Sequence, residues 1–121
     1  MKTILLALVF AAIPAGAADV AGTWRLTGRI ADVNIDRVCT IQQTESRIQG
    51  ACKNQTGETV LSGEVNGRNV TWTYQSQYDG ATVVLVFKGT LESDSAIKGA
   101  ITASDTAGNN ATTGTFNASR Q

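Results

Sequence analysis

The side chains able to do chemistry in this chain of 121 residues are few, and histidine is absent. Without an imidazole, the usual nucleophile–base pairs have no base. The two cysteines, Cys39 and Cys52, have a spacing that fits no zinc pattern, so no metal or cofactor is expected. The remaining catalytic option is carboxylate chemistry by Asp32, Asp36, Glu58, Asp79 and Asp105. Acids of this kind in loops ordinarily serve solubility, and an enzyme is not expected. More informative are groups suited to holding a ligand: Arg37, Trp72, Tyr74 and Tyr78. An aromatic wall offers an apolar surface, and an inward guanidinium offers paired donors to an acid.

The placement of these residues depends on the elements that carry them. Lys2, the apolar run from Ile4 to Ile13 and the small residues Ala15-Gly16-Ala17 have the form of a cleavable signal peptide over residues 1–17. The mature chain is then a single domain over 18–121, periplasmic or secreted. No cysteine follows the cut, so no lipid anchor is expected. Ten basic and ten acidic residues balance in the full chain, and loss of Lys2 leaves the remainder at −1. Scattered basic residues disfavour a nucleic-acid partner. In an exported chain a pair of cysteines is expected to form a bridge.

Apolar residues alternate along the mature chain, the period of strands with one buried face. Eight segments follow from this: Thr23–Ile30, Ile35–Gln43, Arg47–Lys53, Thr59–Val65, Arg68–Gln75, Ala81–Leu91, Ile97–Ala103 and Thr112–Arg120. Pairing around Glu45-Ser46 sets Cys39 opposite Cys52, where a bridge can close. Asn66-Gly67 predicts a type I′ hairpin turn that sets Gly63 opposite Val70 and Leu61 opposite Trp72. Glycines recur on the inward face, at Gly28, Gly50, Gly63, Gly89, Gly99 and Gly114, and permit the coiling that a closed sheet needs. The expected fold is therefore all-β, an eight-stranded antiparallel up-and-down barrel with one Cys39–Cys52 disulfide. A β-sandwich is the alternative; closure is favoured because it removes strand edges.

In such a meander Trp24 and Arg120 share the end with tight turns, where a guanidinium over the indole would cap a floor. The other end receives the longer connections, 31–34, 54–58, 76–80 and 105–110, and is the expected mouth. Strict alternation turns Arg37 inward near that mouth, where it needs an anionic ligand or an internal partner such as Asp36 or Glu58. The other possibility is a bulge that turns it outward. Val83 to Phe87 is apolar on both faces, so Val84 and Val86 are candidates for a homodimer contact.

Gly22-Thr23-Trp24 opening the first strand, Gly114-Thr115-Phe116 in the last and Arg120 at its end resemble the calycin pattern of lipocalins and avidin-type proteins. They also resemble small bacterial secreted barrels. The resemblance spans the mature chain and implies a barrel with a ligand cavity, without implying which ligand. Leu26 stands where avidin-type proteins carry a polar ligand-binding residue, so biotin is not implied. The leading expectation is an exported barrel that binds a small apolar, aromatic or amphiphilic ligand at the long-loop end. The second is a secreted inhibitor or interaction module with a packed interior. Similar barrels among bacterial metalloprotease inhibitors use an N-terminal trunk, whereas only Asp19-Val20-Ala21 precedes Gly22 here.

Overall fold

The computed structural model describes residues 17–121, so the leader expected over 1–17 lies outside the described residues except for Ala17. Eight strands run in chain order: β1 Gly22–Ile30, β2 Val33–Thr44, β3 Arg47–Asn54, β4 Gly57–Asn66, β5 Asn69–Tyr78, β6 Ala81–Ser93, β7 Ala96–Ser104 and β8 Thr112–Arg120. Each pairs antiparallel with the next, and β8 returns to β1 from Trp24↔Arg120 to Ile30↔Gly114, closing the barrel. The expected barrel is the observed one.

Alternation is what makes the barrel. On β1 the residues Trp24, Leu26 and Ile30 are buried while Thr23 and Arg25 face outward, and the other strands follow the same period. The buried set contains no charged side chain among the described residues. Closure brings strands close on the inside, and at Gly50, Gly63, Gly99 and Gly114 the approach of a neighbouring backbone admits no side chain. A Cβ at Gly63 would collide with the Thr71 carbonyl and the Trp72 Cα, and one at Gly50 with the Thr40 carbonyl. These glycines set the curvature rather than serve as turns.

The disulfide joins Cys39 to Cys52 directly across the β2–β3 ladder, with Cα atoms 4.0 Å apart. This is the close, non-hydrogen-bonded kind of antiparallel pair. The β4–β5 register differs from expectation. Val65 pairs with Val70 and Gly63 with Trp72, so the turn residues are Gly67-Arg68 rather than Asn66-Gly67. Gly67 takes a φ of 62° while Arg68 keeps a negative one, the pattern of a II′ turn with glycine first. The displacement is by two residues, so every side chain keeps its expected face.

The mouth also differs. Three of its four connections are two-residue turns, at Ala31-Asp32, Gln55-Thr56 and Asp79-Gly80, and the segment 105–111 alone is long. Asp79 and Gly80 take φ values of 51° and 79°, a type I′ pair that lets β5 and β6 run further than their apolar pattern. Tyr78 is accordingly the last residue of β5, not part of a loop.

Removing the disulfide by Cys39→Ala with Cys52→Ala should lower unfolding free energy by about 2–3 kcal/mol, since a closed loop of about this size is lost from the unfolded-state constraint. Urea melts of the two forms measure it. Because both cysteines are buried, native protein should resist reduction by dithiothreitol until it unfolds.

Candidate functional site

The interior is occupied at three levels. At the floor, residues 17–21 cross the closed end of the barrel as a strap. Val20 is fully buried, and the Trp24 indole N–H donates to its carbonyl at 2.9 Å. Gln43, inward at the end of β2, brackets the strap: its Oε1 accepts from Val20 N at 2.8 Å and its Nε2 donates to Ala18 O at 2.8 Å. Ala18 N donates to Gly67 O at 3.1 Å. The Arg120 guanidinium lies 4.5 Å from the Trp24 ring centroid and donates to the carbonyls of Ala21, Asp19 and Asp94. All three nitrogens of one guanidinium thus donate to backbone acceptors while its plane lies over the indole, a use that a lysine cannot reproduce.

At mid-height the rings of Trp72, Phe87 and Phe116 fill the bore. Trp72 stacks on Phe87 at 5.2 Å, and Phe116 meets both edge-on at 5.3 and 5.2 Å. Trp72 therefore sits in the core, and its buried indole N–H has no hydrogen-bond acceptor. Tyr74, two residues nearer the mouth on β5, packs on Phe87 at 5.1 Å and forms the upper surface of this layer.

Above the rings the barrel is hollow. A cavity of about 500 Å³ opens toward the mouth, with Ile35, Tyr74 and Leu85 at its base and Arg37, Ser76 and Val83 on its walls. Small inward residues make the room: Ser76 on β5, Ala103 on β7 and Thr112 on β8 stand where deeper levels carry rings and branched chains. Of the residues singled out by sequence, Arg37, Tyr74 and Tyr78 line this cavity and Trp72 does not.

Arg37 keeps its strand register, opposite Leu26 on β1, and faces inward without a bulge. Its carbon Cζ lies 5.2 Å from the Tyr74 ring centroid, and Nη2 reaches Ser76 Oγ at 3.5 Å, the far limit of a hydrogen bond. Neither internal partner considered above takes the charge. Asp36 points outward and holds Arg25 at 2.8 Å, an exposed pair in which the guanidinium keeps the carboxyl below the ordinary carboxylate range. Glu58 is exposed on β4 and lies outside the lining. Among the described residues Arg37 has no carboxylate within ion-pair distance. Beside it, burial raises the Tyr74 phenol pKa, and the Arg37 charge opposes that rise.

Asp32 and Asp105 sit at the rim, while Asp79 is not in the lining. Asp105 is engaged by its own loop: it accepts from Ala107 N at 3.0 Å, Asn109 N at 2.8 Å and Asn110 Nδ2 at 3.2 Å. The outward residues Val84 and Val86 are half-buried between the rows of β5 and β7. The strap contacts of Val20 and Gln43 escaped the sequence reading. The available signal was Gln43 at an inward position of an otherwise apolar strand face.

Comparison with solved structures places a redesigned beta barrel at a TM-score of 0.53, with 17% identity over 84% of this chain and 91% of that one. At that identity the likeness concerns the fold. No protein-family model and no curated protein matches the chain.

Backbone donors hold the Asp105 carboxylate ionised, so its folded-state pKa is lowered, with the Asn109 amide the leading cause. Its contribution to loop order is complete above the unfolded-state carboxylate pKa and is lost as pH falls through the lowered folded value. An NMR titration should show the Ala107 and Asn109 amides moving together at a pH below the normal aspartate range. Independent movement of the two would contradict this.

Proposed function

We propose that this protein is a binding barrel for a compact organic acid, taken carboxylate-first into the mouth cavity. Arg37 carries the reading. An inward guanidinium, partly withdrawn from water and lacking a carboxylate partner, is costly to maintain unless a ligand supplies the anion. Its planar fork suits the two oxygens of a carboxylate. Tyr74 orients it from one side, and Ile35 and Leu85 offer apolar surface to the remainder of the ligand. The cavity volume lies within the range of small-molecule sites, and its depth is limited by the ring layer. Short or one-ring acids therefore suit it better than long chains that would need the whole bore.

The calycin-like opening Gly22-Thr23-Trp24 and the Arg120–Trp24 floor agree with a ligand-binding barrel of that kind, exported after cleavage of the leader. An inhibitor or interaction role with a fully packed interior is less well supported, because the upper interior is not packed.

Isothermal titration calorimetry with 3-phenylpropionate and 3-phenylpropanamide tests the reading. The acid should bind at least about ten-fold tighter than the amide, and Arg37→Gln should erase that difference. The same substitution should leave thermal stability unchanged or raised, since it removes a cation that no internal carboxylate neutralises. Equal affinity for acid and amide in the native protein would refute the proposal.

A further inference from the structure

The rim of the barrel is not level. β2 pairs with β1 along Val33–Ile41, but with β3 only from Val38 onward. The β3–β4 hairpin turns back at Gln55-Thr56, so the stretch Val33–Arg37 has a strand on one side only among the described residues. On the far side of the hairpin β4 runs alongside β5 to the rim, although their ladder ends at Ser62↔Thr73 while β5 pairs with β6 as far as Tyr78. One contact crosses there, from Thr59 Oγ1 to the Gln75 carbonyl at 2.8 Å. The short hairpin thus leaves a notch in the wall beside the β2 edge.

An outer groove of about 490 Å³ begins where Val38 pairs with Lys53 and runs up beside the β2 edge past Asp36 and Asn34, with Gln55 opposite and Arg25 and Gln121 on its outer side. Asn34, Asp36, Arg37, Asn54 and Thr56 border both this groove and the mouth cavity. Groove and cavity therefore meet at the notch, and Arg37 stands at the junction.

We propose that the acid received at Arg37 is the free carboxyl end of an extended polypeptide, whose preceding residues lie in the groove and add a strand to β2. The proposal rests on Arg37 being an anion site and names the class of molecule that fills it. Along Val33–Arg37 alternate residues direct their N–H and C=O groups away from β1, toward the missing neighbour. A peptide backbone satisfies those groups; a small acid leaves them to water. Strand addition at an open edge and capture of a terminal carboxylate are both established ways of binding peptides, and here they share one residue. Charge agrees with an acidic chain end. Within the groove Asp36 is held by Arg25, which leaves Lys53 and Arg37 as cations without a carboxylate partner among the described residues. The last side chain of the peptide would enter the cavity over Tyr74.

Fluorescence anisotropy on the full chain tests this with an N-terminally labelled peptide of alternating threonine and valine that ends in phenylalanine. The probes are its free acid, its C-terminal amide and versions N-methylated at either set of alternate backbone amides. Unlabelled 3-phenylpropionate serves as the small-acid reference by competition. The free acid should bind at least about ten-fold tighter than 3-phenylpropionate, and the amide should lose about ten-fold. N-methylation should weaken binding at one alternate set and leave the other unaffected. A free-acid peptide no tighter than 3-phenylpropionate, or binding indifferent to both methylation patterns, would overturn strand addition while leaving the anion site at Arg37 intact. Failure of both peptide and 3-phenylpropionate to bind would overturn the anion site as well.

Discussion

The layer of Trp72, Phe87 and Phe116 is the constraint on which the rest of the molecule depends. An eight-stranded barrel has an interior just wide enough for side chains to fill, so a single set of large rings at one height closes it. Below that layer the bore is a conventional apolar core. Above it the inward positions pass to Ser76, Val83, Ala103 and Thr112, and the same geometry that packs the lower half leaves the upper half open. A packed base and an open top on one scaffold give a rigid wall against which a small acid can be held, because the rings beneath it have no room to yield.

The closed end is built to stay closed. Arg120 arrives from the last strand, Trp24 from the first, and Gln43 from the second, and all three bind the strap of residues 17–21 through backbone acceptors and donors. The strap is held largely through its main chain, with Val20 as its apolar anchor. Chain entry and chain exit are thereby fastened to each other and to the barrel base. Access to the interior is left to the mouth and to the notch beside the short β3–β4 hairpin, so floor and mouth have opposite roles written in different chemistry.

Much of this was legible in the residues. Alternation from Trp24 to Ile30 and from Val83 to Leu91 gave the strands and their inward faces, and the Cys39–Cys52 opposition fixed one register independently. The inward direction of Arg37 followed from the same period. Other features were not accessible to local pattern. Asn66-Gly67 predicts I′, yet Gly67 occupies the first turn position, in a register that sets Val65 opposite Val70. The mouth turns are shorter than their polar composition suggests, since Ser76, Gln77 and Thr82 are polar strand residues at a solvated rim. Alternation also assigns a face but not a height. Trp72 and Tyr74 share a face, and only the stagger of closure decides that the first is core and the second lines the cavity. The strap and the notch depend on contacts between distant strands, which no window of sequence contains.

The division of the interior is tested most directly by methyl NMR during titration with 3-phenylpropionate. The account predicts shifts at Ile35, Val83, Leu85 and Ala103, with Val20, Ile48, Val65 and Ile97 unmoved below the rings. Shifts spread equally over both groups, or confined to the lower one, would contradict it.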